Sequence, residues 1–186
     1  MPGYIKGLIF DCDGTLVDSM PLHMRAWEYV ITSQGGEWEY DFFFSRKGMP
    51  EEDIVVVYNQ NYGHALDPIH TVKTKHEYFY SRLKELRPIS YVVNVARKYF
   101  GVLPMAVASG GTKTTVRLEL ETMNIRHLFP IILTADDDIK PKPAPDIFLE
   151  AARRIGVAPE FCQVFEDGDL GLEAARVAGM LPTDIR

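Results

Sequence analysis

A chain of 186 residues, 46% apolar and 25% charged, has material for one well-buried core and a modest insertion. Its formal net charge of −6 excludes a broad basic field for nucleic acid or anionic lipid, so any anion it handles must meet local positive features. Two cysteines, Cys12 and Cys162, exclude a disulfide framework and show no metal-ligand spacing, and no apolar run approaches the roughly 18 residues of a membrane span. The opening Met1 to Gly7 lacks the basic and apolar regions of a secretory signal, so the expectation is a cytoplasmic protein with neither nucleic acid nor membrane as partner.

Ile5 to Phe10 is a short apolar run stopped abruptly by Asp11, Cys12, Asp13 and Gly14, as suits a buried strand of a parallel sheet. The alternation then breaks. From about Asp18 to Arg87 the sequence reads as mostly helical: Met20, Met24, Trp27 and Ile31 share one helical face, and Ile54–Tyr58 and Tyr78–Leu86 are expected to be helical too. The aromatic run Trp38 to Phe44 reads as part of the core of this insert. The first grammar returns at Met105–Ala108, which runs into Ser109, Gly110 and Gly111 and then a helical stripe of Val116, Leu120 and Met123. Pro130–Leu133 precedes a second helix with Ile147, Phe148, Ala151, Ala152 and Ile155 on one face, closed by Gly156. Gln163–Phe165 meets Glu166, Asp167, Gly168 and Asp169, then a helix expected to bury Leu170, Ala174, Val177 and Ala178 before Gly179. A short strand near Leu181–Ile185 ends the chain. Strand, polar turn and helix in repetition define an α/β fold, a Rossmann-like parallel sheet flanked by helices, with an inserted helical cap after the first strand. The expected domains are 1–17 with 88–186 as the α/β catalytic core, and 18–87 as the cap.

Ligands in such sheets bind beyond the carboxyl ends of the strands, so the polar turns belong to one site. They offer carboxylates, a hydroxyl beside glycine amides, and a lysine, which is what phosphoryl transfer assisted by a hard cation requires. Asp11 and Asp13, two apart, can share a face. One suits a nucleophile and the other a general acid and base, although Asp-x-Asp-Gly is also an ordinary turn after a strand.

The longer string Leu8-Ile-Phe-Asp-Cys-Asp-Gly-Thr-Leu-Val-Asp-Ser19 resembles the opening motif of the haloacid dehalogenase-like superfamily, in its phosphatase and phosphomutase branch. Val107-Ala-Ser-Gly110, Lys142-Pro-Ala-Pro-Asp-Ile-Phe148 and Val164-Phe-Glu-Asp167 resemble its remaining three motifs in the same order, and the likeness spans nearly the whole chain. The resemblance implies that Asp11 attacks phosphorus and that Asp13 protonates the leaving oxygen and then activates water. It implies that Ser109, the Gly110 amide and Lys142 hold the phosphoryl group, and that Asp11, the Asp13 carbonyl, Glu166 and Asp167 bind Mg2+. Beside these roles stand plainer readings: Ser109 as a helix cap, Lys140 as a rival to Lys142, Asp169 as the N-cap of its helix or a third ligand, and Cys12 turned away from the site.

Pro21–Trp27 and Arg46–Asp53 resemble the cap of the β-phosphoglucomutase-like group, which implies substrate-facing positions for His23, Trp27, Lys47 and Gly48. The stripe of which Trp27 is a part also makes it a core residue. Where that mutase places a phosphate-binding arginine, this chain has Glu51, and the second motif reads Ala-Ser-Gly-Gly. Both departures favour a phosphatase of small sugar monophosphates such as fructose 1-phosphate, acting as a monomer. A mutase using Arg46 or Lys47 is the alternative. A dehalogenase or a non-catalytic sugar-phosphate sensor fits the acidic residues less well.

Overall fold

The computed structural model describes residues 3–186. Five strands, β1 (Gly7–Phe10), β2 (Met105–Ala108), β3 (Ile131–Leu133), β4 (Cys162–Glu166) and β5 (Leu181–Asp184), form one sheet in the order β3-β2-β1-β4-β5. Every pairing is parallel, with Leu8 opposite Met105 and Gln163, and Phe10 opposite Val107 and Phe165. β1, β2 and β4 are buried along their whole length, which explains why β1 and β2 read as continuous apolar runs rather than alternating ones; β4 is as buried although it carries Gln163 and Glu166. The chain moves outward from β1 through β2 to β3 and then returns to the other side of β1. The strand order therefore reverses at β1, and the turns after β1 and β4 emerge side by side at the switch point.

Helices α5 (Ser90–Tyr99), α6 (Lys113–Thr122), α7 (Asp146–Ile155) and α8 (Asp169–Val177) flank this sheet. The apolar face of α7, namely Ile147, Phe148, Ala151 and Ala152, packs in one core with Ile9, Ala106, Val164 and the alanines of α8. Gly156 ends α7 in the left-handed conformation at φ 71°, as the sequence pattern requires. The buried face of α8 differs from the expected one. Ala174 and Ala178 are buried as expected, but Leu170 and Val177 are exposed, and Leu172 and Ala175 complete the buried face. Small alanines let the helix approach the sheet closely, so its apolar contact is made by residues with little hydrophobic signal of their own.

This α/β unit comprises the residues up to Asp18 and Leu86–Arg186; Ser19–Glu85 forms a second compact unit. The second unit contains α1 (Met20–Ser33), α2 (Tyr40–Phe44), α3 (Glu51–Tyr62) and α4 (Pro68–Tyr80). Met24, Trp27 and Ile31 of α1 meet Phe42, Phe43, Ile54, Val55 and Tyr58 in its core, with Met20 partly buried at the margin. The aromatic run is divided: Phe42 and Phe43 are inside, whereas Tyr40 and Phe44 are exposed. The helix expected at Tyr78–Leu86 is misplaced. The Asp67 side chain accepts the His70 amide at 2.9 Å and Pro68 opens α4, so the helix begins ten residues earlier and stops at Tyr80; only a 3-10 turn, Leu83–Glu85, follows. Among the described residues no helix is long and apolar enough to cross a membrane.

Candidate active site

The turn after β1 is set by its backbone. The Asp11 amide donates to the Phe165 carbonyl at 3.0 Å, one residue beyond the strand, and the Cys12 carbonyl accepts from Leu16 at 2.9 Å. Gly14 lies at φ +77°, and a Cβ there would stand 2.6 Å from Oδ2 of Asp167, so both conformation and space demand glycine. The turn after β4 is thereby brought against the turn after β1.

Carboxylate oxygens of Asp11, Glu166 and Asp167 lie within 4.8 Å of one another. Lys142, from the segment before α7, reaches between two of them: its Nζ donates to Asp11 Oδ1 at 2.7 Å and to Glu166 Oε1 at 2.5 Å. Its side chain is 12% exposed, whereas Lys140 lies in the open. Glu166 also accepts the Gly168 amide at 2.7 Å through Oε2, and the Thr15 hydroxyl donates to Asp167 Oδ1 at 3.4 Å. Ser109 is buried at the end of β2; its Oγ accepts the Gly111 amide at 3.0 Å and stands 3.5 Å from Asp13 Oδ2, while Gly110 is exposed. Thr112, not Ser109, caps α6, with its side chain accepting from the Thr115 amide, so the cap reading of Ser109 is set aside. Asp169 is not an N-cap either. It is the first residue of α8, mostly exposed and ion-paired with Arg186 at 2.8 Å.

Charge in this cluster is unbalanced. Burial pushes the Asp11 carboxyl up, and although Lys142 opposes this, Glu166 and Asp167 add to it, so the net effect is a proton affinity well above the ordinary one. Burial alone would lower the Lys142 ammonium, but Asp11 and Glu166 outweigh it and hold the lysine charged. Three hard oxygen donors, with one cation already shared between two of them, fit a further divalent cation.

Cys12 turns away from these groups, as expected, and its buried thiol donates to Glu119 of α6 at 3.3 Å. Glu119 is fully buried, and first burial and then the Asp13 carboxylate hold its carboxyl well above the ordinary range. An acid of raised native affinity loses stability as pH rises above its unfolded value near 4.5. Glu119→Gln is therefore expected to melt higher than the wild type in chelator, with a gap that widens between about pH 5 and pH 8. A gap independent of pH would mean that this carboxyl is not the source.

In the helical unit, His23 is stacked on Phe79 at 4.2 Å and its Nδ1 lies 2.9 Å from the Nζ of Lys75. Lys75 is completely buried and ion-paired with Glu51, whose other oxygen meets His76 Nε2 at 2.6 Å. Burial works against ionisation of Glu51, yet Lys75 and His76 hold it far below the usual carboxylate range. Trp27 is buried and stacked on Phe43 at 5.1 Å. Arg46 lies over the Phe42 ring at 3.7 Å and donates to the Phe42 carbonyl at 2.8 Å; Lys47 lies over Phe44 at 5.2 Å, and Gly48 adopts φ 87°. Lys75, Glu119 and the pairing of Glu51 escaped the sequence reading. Their signal is a charged residue on a buried stripe: Lys75 lies between Thr71 and Phe79, and Glu119 beside Val116 and Leu120.

A parallel sheet whose switch point gathers three carboxylates and a lysine defines a class of phosphoester-processing α/β proteins. The family model for haloacid dehalogenase-like hydrolases matches residues 5–179, and the chain belongs to that family. It is 37% identical to the fructose-1-phosphate phosphatase YqaB of Escherichia coli K12 over 97% of this chain and 96% of the relative. It is 27% identical to a phosphorylated carbohydrates phosphatase of Thermotoga maritima, over 95% of this chain and 82% of the relative. Among solved structures, that of a putative β-phosphoglucomutase from Thermotoga maritima superposes with a TM-score of 0.75 at 26% identity, covering 95% of this chain and 82% of that one.

Proposed function

We propose that the protein is a Mg2+-dependent phosphatase of small sugar monophosphates, with the α/β unit as catalytic core and Ser19–Glu85 as its cap. The observation that carries this is the meeting of Asp11, Glu166 and Asp167 with Lys142 bridging two of the three. An Asp11 oxygen attacks phosphorus as the bond to the sugar oxygen breaks, and Asp13 gives that oxygen its proton. Asp13 then takes a proton from water, whose oxygen displaces Asp11 and releases inorganic phosphate. Lys142, Ser109 and the Gly110 amide bind the phosphoryl oxygens, with Lys142 offsetting charge that builds during transfer. Asp11, the Asp13 carbonyl, Glu166 and Asp167 would hold the ion, which would supply charge neutralisation during transfer.

His23, Lys47 and Gly48 are assigned to the sugar, and Trp27 to the core of the cap. Hydrolysis is favoured over a mutase because a mutase must hold two phosphates at once. At the cap position in question stands the Glu51 carboxylate, paired with Lys75 and His76 within the helical unit, so no cation is offered there, and Arg46 is engaged by Phe42. The likeness to the fructose-1-phosphate phosphatase supports the same substrate class. The remaining assignments are a monomer, a cytoplasmic location, and no nucleic-acid or membrane partner.

The test is phosphate release from a panel of sugar phosphates with Mg2+ and with chelator, while β-glucose 1-phosphate is followed for isomerisation. Mg2+-dependent release, fastest on a ketose 1-phosphate, is the expected result. Isomerisation to glucose 6-phosphate with little release would make the protein a mutase, and no turnover of either kind would favour the sensor.

A further inference from the structure

Gly171 lies in the first turn of α8, where glycine is a poor helix former. Its presence there has a steric cause. A Cβ built on Gly171 would stand 1.8 Å from Oε1 of Glu166, 2.1 Å from its Cδ and 2.8 Å from its Cγ. The Glu166 carboxylate thus fills the volume that any side chain at position 171 would need. From that slot Oε1 reaches Lys142 at 2.5 Å, and Oε2 accepts the Gly168 amide at 2.7 Å. Glu166 is 3% exposed, so the slot lies inside the protein.

We infer that Gly171 is a positioning residue for the acidic centre, lodging the Glu166 carboxylate against α8 and so aiming it toward Asp11 and Asp167. The inference rests on the reading that these carboxylates gather a divalent cation. The atoms that a new methyl group would strike are the far end of a flexible side chain, not backbone. The helix therefore keeps its place and the carboxylate moves, losing its alignment with Lys142, Asp11 and Asp167. Alanine is the better helix residue and restricts the unfolded chain, which offsets only part of the cost of moving a buried carboxylate off Lys142. A glycine needed only for backbone packing would cost the same stability with or without the Glu166 side chain, and would leave cation affinity in the folded protein unchanged.

The measurement is Mg2+ binding to the full chain by calorimetry, together with the melting temperature in chelator and with Mg2+. Gly171→Ala is expected to raise the Mg2+ dissociation constant about 10- to 100-fold, as loss of ligand orientation does elsewhere, and to lower the melting temperature in chelator less when Glu166 is already alanine. In a Glu166→Ala background the slot is vacant, so adding Gly171→Ala there is expected to leave the remaining Mg2+ affinity within about twofold. Wild-type affinity in the single variant, or a further loss in the Glu166→Ala background, overturns the assignment. If the single variant is not recovered folded, the comparison in the Glu166→Ala background decides. A wild-type protein that binds no Mg2+ overturns the metal reading itself, an outcome separate from any result for Gly171.

Discussion

Asp11→Asn is expected to reduce phosphate release by roughly 10^4-fold or more while leaving a folded protein that melts no lower than the wild type in chelator. The two halves of this prediction share one cause. Asp11 is buried beside Glu166 and Asp167, and burial and those carboxylates together raise its proton affinity despite Lys142. A carboxyl whose native affinity exceeds its unfolded value of 3.8 withdraws stability as pH climbs above that value, so the ionised Asp11 carboxylate burdens the apoprotein at neutral pH. Asparagine keeps the shape and removes the charge. Lys142 still has Glu166 at 2.5 Å, so the substitution leaves no stranded cation. The gain in melting temperature should be larger at pH 8 than at pH 5, and Mg2+ should stabilise the variant less than the wild type because one donor has become neutral. Residual release near the wild-type rate would mean that another group attacks phosphorus, and a lower melting temperature in chelator would mean that the Lys142 pair outweighs carboxylate repulsion.

The parts of the site visible in the sequence are those whose chemistry is written locally. Phe10 followed by Asp11, Asp13 and Gly14 combines a buried strand with a turn that glycine alone can close, and both requirements are met within a few residues. Motif spacing separates Lys142 from Lys140, and the structure puts Lys142 between two carboxylates and Lys140 in the open. What was misread depends on partners distant in the chain. Lys75 in a buried stripe reads as an error of amphipathicity until Glu51, 24 residues earlier, is seen to meet it. Glu119 is hidden for the same reason, since its thiol partner lies 107 residues away. Leu170 and Val177 read as inward-facing, but the face of α8 that is buried carries Leu172, Ala174, Ala175 and Ala178, three of them alanines with little apolar signal of their own. Nor could the pattern show why Gly171 follows the acidic turn, because the volume it leaves is occupied by the Glu166 side chain.

Lys142→Met is expected to damage stability and rate together, the reverse of the Asp11 variant. Removing the lysine leaves Asp11, Glu166 and Asp167 facing one another with no cation among them, and breaking a buried pair by deleting one partner typically costs about 3–5 kcal/mol. The methionine chain is of similar length and can keep the contact with Phe148, over whose ring the ammonium lies at 5.1 Å, so lost packing contributes little. The native lysine is held charged by Asp11 and Glu166, which means that its contribution persists throughout neutral pH and is lost only in strong alkali. The deficit in melting temperature should accordingly shrink toward acid, where the stranded carboxylates take up protons instead. Saturating Mg2+ should also narrow it by supplying positive charge to the same oxygens. It should not restore turnover, which is expected to fall roughly 10^2- to 10^3-fold for want of a fixed donor to the phosphoryl oxygens. Recovery of the rate along with the stability would show that Lys142 serves only to balance charge in the resting protein; a persistent rate loss in a protein made stable by Mg2+ would separate its part in transfer from its part in folding.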